Sequence, residues 1–168
     1  MKLSTLNELA KDEANAWFTQ TCAAQTWTSS MTALRPFESS AAVISAAKKV
    51  WLSMEKADFL AAFAAHPMIG DIDTLRSKFA NTRTIAANEQ SGTASADEAT
   101  LLALKAANQA YLDKHGFIFI ICATGLSAEA MLSALQGRID NTTAQEIANA
   151  AAEQIKITCL RIEKALED

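Results

Sequence analysis

Two prolines and five glycines are the only strong breakers in 168 residues. A chain with so few interruptions, and with abundant alanine, has little to stop a helix once it starts. Apolar side chains recur at spacings of three and four along most of it, the period of a helix with one buried face. The pattern predicts an all-α fold, a single compact multi-helix domain over residues 1–168. Half of the residues are hydrophobic, which supplies a sizeable core.

Punctuation along the chain divides it. A first helix is expected from Leu6 to about Cys22, and a short segment around Trp27 and Met31 ends at Arg35-Pro36. Ser39 or Ser40 caps a helix over Ala41–Ser53, and another over Lys56–Ala65 stops at His66-Pro67. Asp71 or Asp73 caps a short helix through Phe79, and Asn81–Ala94 reads mainly as loop. A long helix over Asp97–His115 meets Gly116 as its stop. Ser127 caps a helix to Gln136 with Gly137 after it, and Thr142 or Thr143 opens a last helix to about Leu166. Phe117–Cys122 has strand-like composition, yet no second strand exists to pair with it. It is expected as an extended or helical apolar segment near 117–122, buried among helices.

Charge excludes some functions. The formal net charge is −4, and no basic run exceeds Lys48-Lys49, so the electrostatic footprint of a nucleic-acid binder is missing. No apolar run is long enough to span a membrane, and the N-terminal residues lack a signal-peptide core. Leu166-Glu167-Asp168 is not a peroxisomal address. Cys22, Cys122 and Cys159 have neither zinc-ligand nor redox spacing, and read as reduced, mostly buried thiols of a cytoplasmic protein. Cys122 is the one considered as a nucleophile, which would need a cationic setting.

The chemistry-bearing stretch is His66-Pro67-Met68-Ile69-Gly70-Asp71, followed later by Glu89-Gln90-Ser91-Gly92. An imidazole titrates near neutral pH, and the Glu-Gln pair adds a carboxylate and an amide. A proline corner would hold the imidazole still, which catalysis requires, but it serves a structural turn equally well. His66 also fits as a helix C-terminal histidine favoured by the macrodipole. Exposed loop Glu-Gln pairs are ordinary. His115 beside Gly116 is expected as a surface or capping residue. Arg161 falls at the edge of the last helix's apolar stripe, as a snorkelling side chain or as a guanidinium fork for a carboxylate or ring carbonyl. No metal-ligand set, phosphate loop or nucleophile elbow is present in the sequence.

Six motifs in order resemble one family. They are His66–Asp71, Leu75–Ala80, Glu89–Gly92, Asn108–Tyr111, Phe117–Gly125 and Glu153–Arg161, with Arg35-Pro36-Phe37 and Trp51 also fitting. The chain resembles the OHCU decarboxylases, which act on 2-oxo-4-hydroxy-4-carboxy-5-ureidoimidazoline in urate degradation. The resemblance covers nearly the whole chain. It implies an all-helical fold, a homodimer, no metal or organic cofactor, and release of carbon dioxide from OHCU to give (S)-allantoin. It implies His66 and Glu89 as the catalytic pair. It further implies Pro67, Gln90, Arg161 and the backbone of Phe117, Ile118, Phe119, Ile120 and Ile121 as substrate-binding.

Two positions depart from the family. Ala86 stands where some members have a serine that contacts ligand, so that hydrogen bond is lost. Met68 stands where a basic residue is common. Two other classes compete. A non-enzymatic helical interaction module would account for the helices but not for the order of the motifs. A ureidoimidazoline or ureido-acid hydrolase would lack its metal set or nucleophile.

Overall fold

The computed structural model describes residues 1–68, 72–77 and 94–166. Its helices are α1 (Leu3–Glu8), α2 (Lys11–Thr21), α3 (Gln25–Ala33), α4 (Ser40–Trp51), α5 (Lys56–Ala64), α6 (72–77), α7 (Ala94–His115), α8 (Ala128–Arg138) and α9 (Thr143–Ala165). No β-strand occurs among the described residues, in keeping with the all-α expectation. The chain divides into two compact units, Met1–Ala65 with Ile147–Asp168, and His66–Glu146.

In the first unit α3 packs against α2, α4 and α5. Phe18 meets the rings of Trp17, Trp27 and Phe37 edge-on, with centroids 5.0, 5.9 and 6.4 Å away. Buried indoles need partners for their N–H groups. Trp27 donates to the Ala47 carbonyl at 3.2 Å and Trp51 to that of Ala151 at 2.9 Å. Ser39 caps α4, its hydroxyl accepting from the Ala42 N–H at 3.1 Å.

The single helix expected from Leu6 to Cys22 is two helices. In an unbroken helix the Ala10 N–H would donate to the Leu6 carbonyl. Instead Ala10 donates to the Glu13 carboxylate at 3.1 Å, and Leu6 accepts from Arg35 Nη1 at 2.7 Å. The same Nη1 donates to the Leu9 carbonyl at 2.8 Å. Asn7 adds a second tie, bonding both the carbonyl and the N–H of Phe37. Both halves of the missing helical bond are thus satisfied by side chains, so the break leaves no orphan there.

In the second unit α7 packs on α8. Leu101, Leu104 and Tyr111 give α7 its buried face, and Gly116 stops it at a left-handed φ of 78°. Arg76 in α6 pairs with Asp73 one turn away and with Glu98 of α7. Asp73 lies inside α6 rather than at its cap, and Asp71, the other expected cap, lies with Phe79 outside the described residues. Ser127 caps α8 as expected, accepting from Ala130 N–H at 3.1 Å. The helix does not stop at Gly137. It runs through to Arg138, with Ile139 N–H still donating to Leu135 at 2.9 Å. Thr142 opens α9 by a capping box, its hydroxyl accepting from Gln145 N–H and its own N–H donating to the Gln145 side chain.

Candidate active site

α5 sets the direction of the first candidate. Its N-terminus is fixed by Asp58, whose carboxylate accepts from Glu55 N–H at 3.0 Å. Ala62 and Phe63 are its buried residues. The residue before a proline avoids helical geometry, so Pro67 forbids any continuation past His66. His66 is half-buried, while Pro67 and Met68 are exposed. Glu89 and Gln90, together with Ala86, lie outside the described residues.

Residues 118–123 have neither helical nor strand geometry, as expected of a segment without a partner strand. Phe117 and Ile120 are buried, and Ile118, Phe119 and Ile121 are half-buried. Among the described residues, the backbone N–H groups of Ile118, Phe119, Ile120 and Ile121 meet no backbone carbonyl. Donors outside any ladder, on a largely buried segment, are suited to receiving acceptors from a small polar ligand. This segment belongs to the same unit as His66.

Arg161 belongs to the other unit. Its side chain is exposed, and Nη1 donates to the Thr21 carbonyl, at the end of α2, at 3.2 Å. A guanidinium carries five N–H groups, so this bond leaves it donors for a ligand. Gln154, on the same side, is buried and donates to Thr158 Oγ1 at 3.2 Å. Cys22 is a buried thiol whose pKa burial pushes up, which keeps it protonated and unreactive. Cys159 is likewise raised by burial. Cys122 is half-buried.

Sequence reasoning missed a buried polar cluster beneath the 117–121 segment. Glu146 is fully buried in the first turn of α9. Its Oε2 accepts from the Tyr111 hydroxyl at 2.5 Å and from Arg138 Nε at 2.9 Å, and its Oε1 accepts from Asn141 at 2.9 Å. Arg138 Nη2 lies 2.8 Å from the same Oε2, an ion-pair contact without hydrogen-bond alignment. Arg138 Nη1 donates to the Ile120 carbonyl at 2.8 Å. Burial first, and then Glu146, hold the Tyr111 phenol above its usual pKa of 10. One signal for the cluster was present: a tyrosine on an apolar helical stripe requires a partner for its hydroxyl.

His115 also departs from expectation. It is buried rather than on the surface, with Nδ1 3.0 Å from Thr143 Oγ1 and Nε2 3.2 Å from the Ile139 carbonyl. Its ring lies 4.5 Å from that of Tyr111. Both nitrogens are engaged with the α8–α9 turn, which suits an anchor for the end of α7.

The profile of the OHCU decarboxylases matches residues 7–163, a span that includes parts of both units. A crystal structure of OHCU decarboxylase in the presence of (S)-allantoin is 33% identical, with a TM-score of 0.71, over 90% of this chain and 96% of that one. A crystal structure of (S)-allantoin synthase shares the fold, with a TM-score of 0.72 at 19% identity over 99% of this chain and 54% of that one. The uric acid degradation bifunctional protein TTL of Arabidopsis thaliana is 35% identical over 150 residues, or 88% of this chain. The chain spans under half of that relative, 45% of its length. With a profile match over most of its length, the chain belongs to the OHCU decarboxylase family.

Proposed function

We propose that this chain is a carboxy-lyase that converts OHCU to (S)-allantoin and carbon dioxide in urate breakdown, in the cytoplasm, as a homodimer. The observation that carries the reading is the run of N–H donors at Ile118–Ile121, carried by buried and half-buried residues in the same unit as His66. Such donors fit a flat ring rich in carbonyl oxygens. Family membership narrows the ring to OHCU. Because the family profile runs across both compact units, we read residues 1–168 as one catalytic module.

The substrate supplies its own electron sink. The carbon bearing hydroxyl and carboxylate adjoins a ring carbon doubly bonded to nitrogen. When the carbon–carboxylate bond breaks, its electron pair forms a carbon–carbon double bond to that neighbour. The pair of the carbon–nitrogen double bond moves onto nitrogen, which takes a proton. The resulting enol loses its hydroxyl proton to become the ring carbonyl. The neighbouring carbon gains a proton on one face, which fixes the enantiomer. No organic cofactor or metal is needed for this sequence.

In this reading His66 is the acid–base group at the substrate hydroxyl or carboxylate. Glu89 binds ring or ureido nitrogens and relays the proton, and Gln90 orients the ring. Either His66 or Glu89 can fill the acid–base role, since both carry a titratable group. Pro67 holds His66 in place beside the ligand. The backbone of Phe117–Ile121 contributes donors, and Arg161 holds a ring oxygen and steadies the developing charge. Ala86 withholds one hydrogen bond that some relatives supply.

The test is circular dichroism of allantoin formation. Urate is converted in place by urate oxidase and hydroxyisourate hydrolase, with and without this protein. Rapid appearance of optically active (S)-allantoin only in its presence is expected. Racemic product at the spontaneous rate, with the protein folded, would leave the helical interaction module as the better account. Sedimentation equilibrium tests the dimer.

A further inference from the structure

A strand is held straight by its ladder, but residues 118–121 have none. Side chains fix this segment instead. Arg138 Nη1 donates to the Ile120 carbonyl at 2.8 Å, and the Arg138 guanidinium lies 4.5 Å from the centre of the Phe119 ring. Tyr111 meets Phe117 and Phe119 edge-on, at 5.8 and 5.3 Å. Arg138 is fixed in turn by Glu146, which Tyr111 and Asn141 hold from two further elements.

Peptide planarity gives this arrangement a direction. In a trans peptide the carbonyl of one residue and the N–H of the next point opposite ways. The Ile120 carbonyl is aimed at Arg138, so the Ile121 N–H is aimed away from it. That N–H meets no backbone carbonyl among the described residues. We propose that Arg138, braced by Glu146 and Tyr111, is a positioning residue that sets the Ile120–Ile121 peptide so that the Ile121 N–H donates to an acceptor oxygen of the substrate. The proposal rests on the decarboxylase reading above. Arg138 does the work of a neighbouring strand for one peptide, while leaving the far side of that peptide to the ligand. Lysine cannot replace it, because one ammonium lacks the planar fork that serves Glu146 and Ile120 together.

The test compares wild type with Arg138→Lys and with the double variant Arg138→Met/Glu146→Leu. The double variant removes both charges and leaves neither buried alone, so it is expected to keep the fold where a single charge removal would not. Steady-state decarboxylation of OHCU gives KM and kcat. KM does not depend on how much of the enzyme is folded, so partial unfolding cannot raise it. Losing one well-aligned hydrogen bond to the ligand is expected to raise KM about tenfold, with kcat changing by less than about threefold. An unchanged KM in both variants overturns the proposal, whether or not kcat or thermal stability falls. It leaves the decarboxylase reading intact as long as wild type forms (S)-allantoin. A folded wild-type chain that forms none overturns both.

Discussion

Tyr111→Phe isolates one hydroxyl in a buried ionic cluster, and the structure sets its expected cost. The hydroxyl donates to Glu146 Oε2 at 2.5 Å, and hydrogen bonds to charged groups contribute about 1.5–3 kcal/mol. The upper end applies when the remaining partner is stranded. Here Oε2 keeps the Arg138 Nε bond at 2.9 Å, and Oε1 keeps Asn141 at 2.9 Å. The ring itself stays, with its edge contacts to Phe117 and Phe119. The expected loss is therefore at the lower end, about 1.5–2 kcal/mol. Urea unfolding followed by far-ultraviolet circular dichroism measures it, with an unchanged m-value as the sign that only stability has moved. A cycle with Glu146→Gln should return a coupling energy of about 1 kcal/mol or more. A Tyr111→Phe variant within about 0.5 kcal/mol of wild type, an ordinary surface effect, would refute the claim that this bond is made in solution.

The remaining predictions concern chemistry, titration and cooperativity. His66→Asn should lower kcat about a hundredfold or more by removing an acid–base group, and near-normal turnover would reject its assignment. Arg161→Lys should lower kcat/KM for OHCU while the melting temperature stays close to wild type, since an ammonium cannot copy the planar fork; equal kinetics would sink its binding role. Tyr111 is the only tyrosine, and its phenol pKa is raised in the folded state. Its contribution to stability is complete below pH about 10 and is lost as pH rises through the folded-state value, so phenolate absorbance should appear only later than in the urea-unfolded chain. The three tryptophans lie in the first unit and Tyr111 in the second, so coincident urea midpoints by indole fluorescence and tyrosine absorbance are expected of one domain, and separated midpoints would count against it.

What was legible in the sequence was punctuation and order. Ser39, Ser127 and Thr142 cap helices where they were expected, and Gly116 stops α7. Each of these acts within a few residues, so the signal and its effect lie in one window of sequence. The misread points have distant causes. α1 and α2 part because Arg35, far along the chain, takes up the Leu6 and Leu9 carbonyls that a continuous helix would use itself. α8 passes through Gly137 although glycine costs roughly 1 kcal/mol there. The extension carries Arg138 to its bonds with Glu146 and Ile120. His115 gave no sign of burial because its partners lie beyond the next helix, at Ile139 and Thr143. Of the candidate site, His66, Pro67, residues 117–121 and Arg161 can be followed into the structure. Glu89 and Gln90 lie outside the described residues.

The segment at 117–122 and the buried ionic cluster are linked. Its β-branched and aromatic residues have the composition of a strand, yet no strand lies beside it among the described residues. In water a lone strand would be marginal, and buried without partners it would be costly. The chain answers with one arginine on one carbonyl, and with two aromatic contacts from Tyr111. Arg138 is charged, so it needs Glu146; Glu146 is fully buried, so it needs Tyr111 and Asn141. The buried ionic cluster thus follows from leaving a backbone edge unladdered. A second strand on the ligand's side would have stabilised the segment more simply, but it would have consumed the N–H groups of that edge, Ile121 among them, that a carbonyl-rich ring can use.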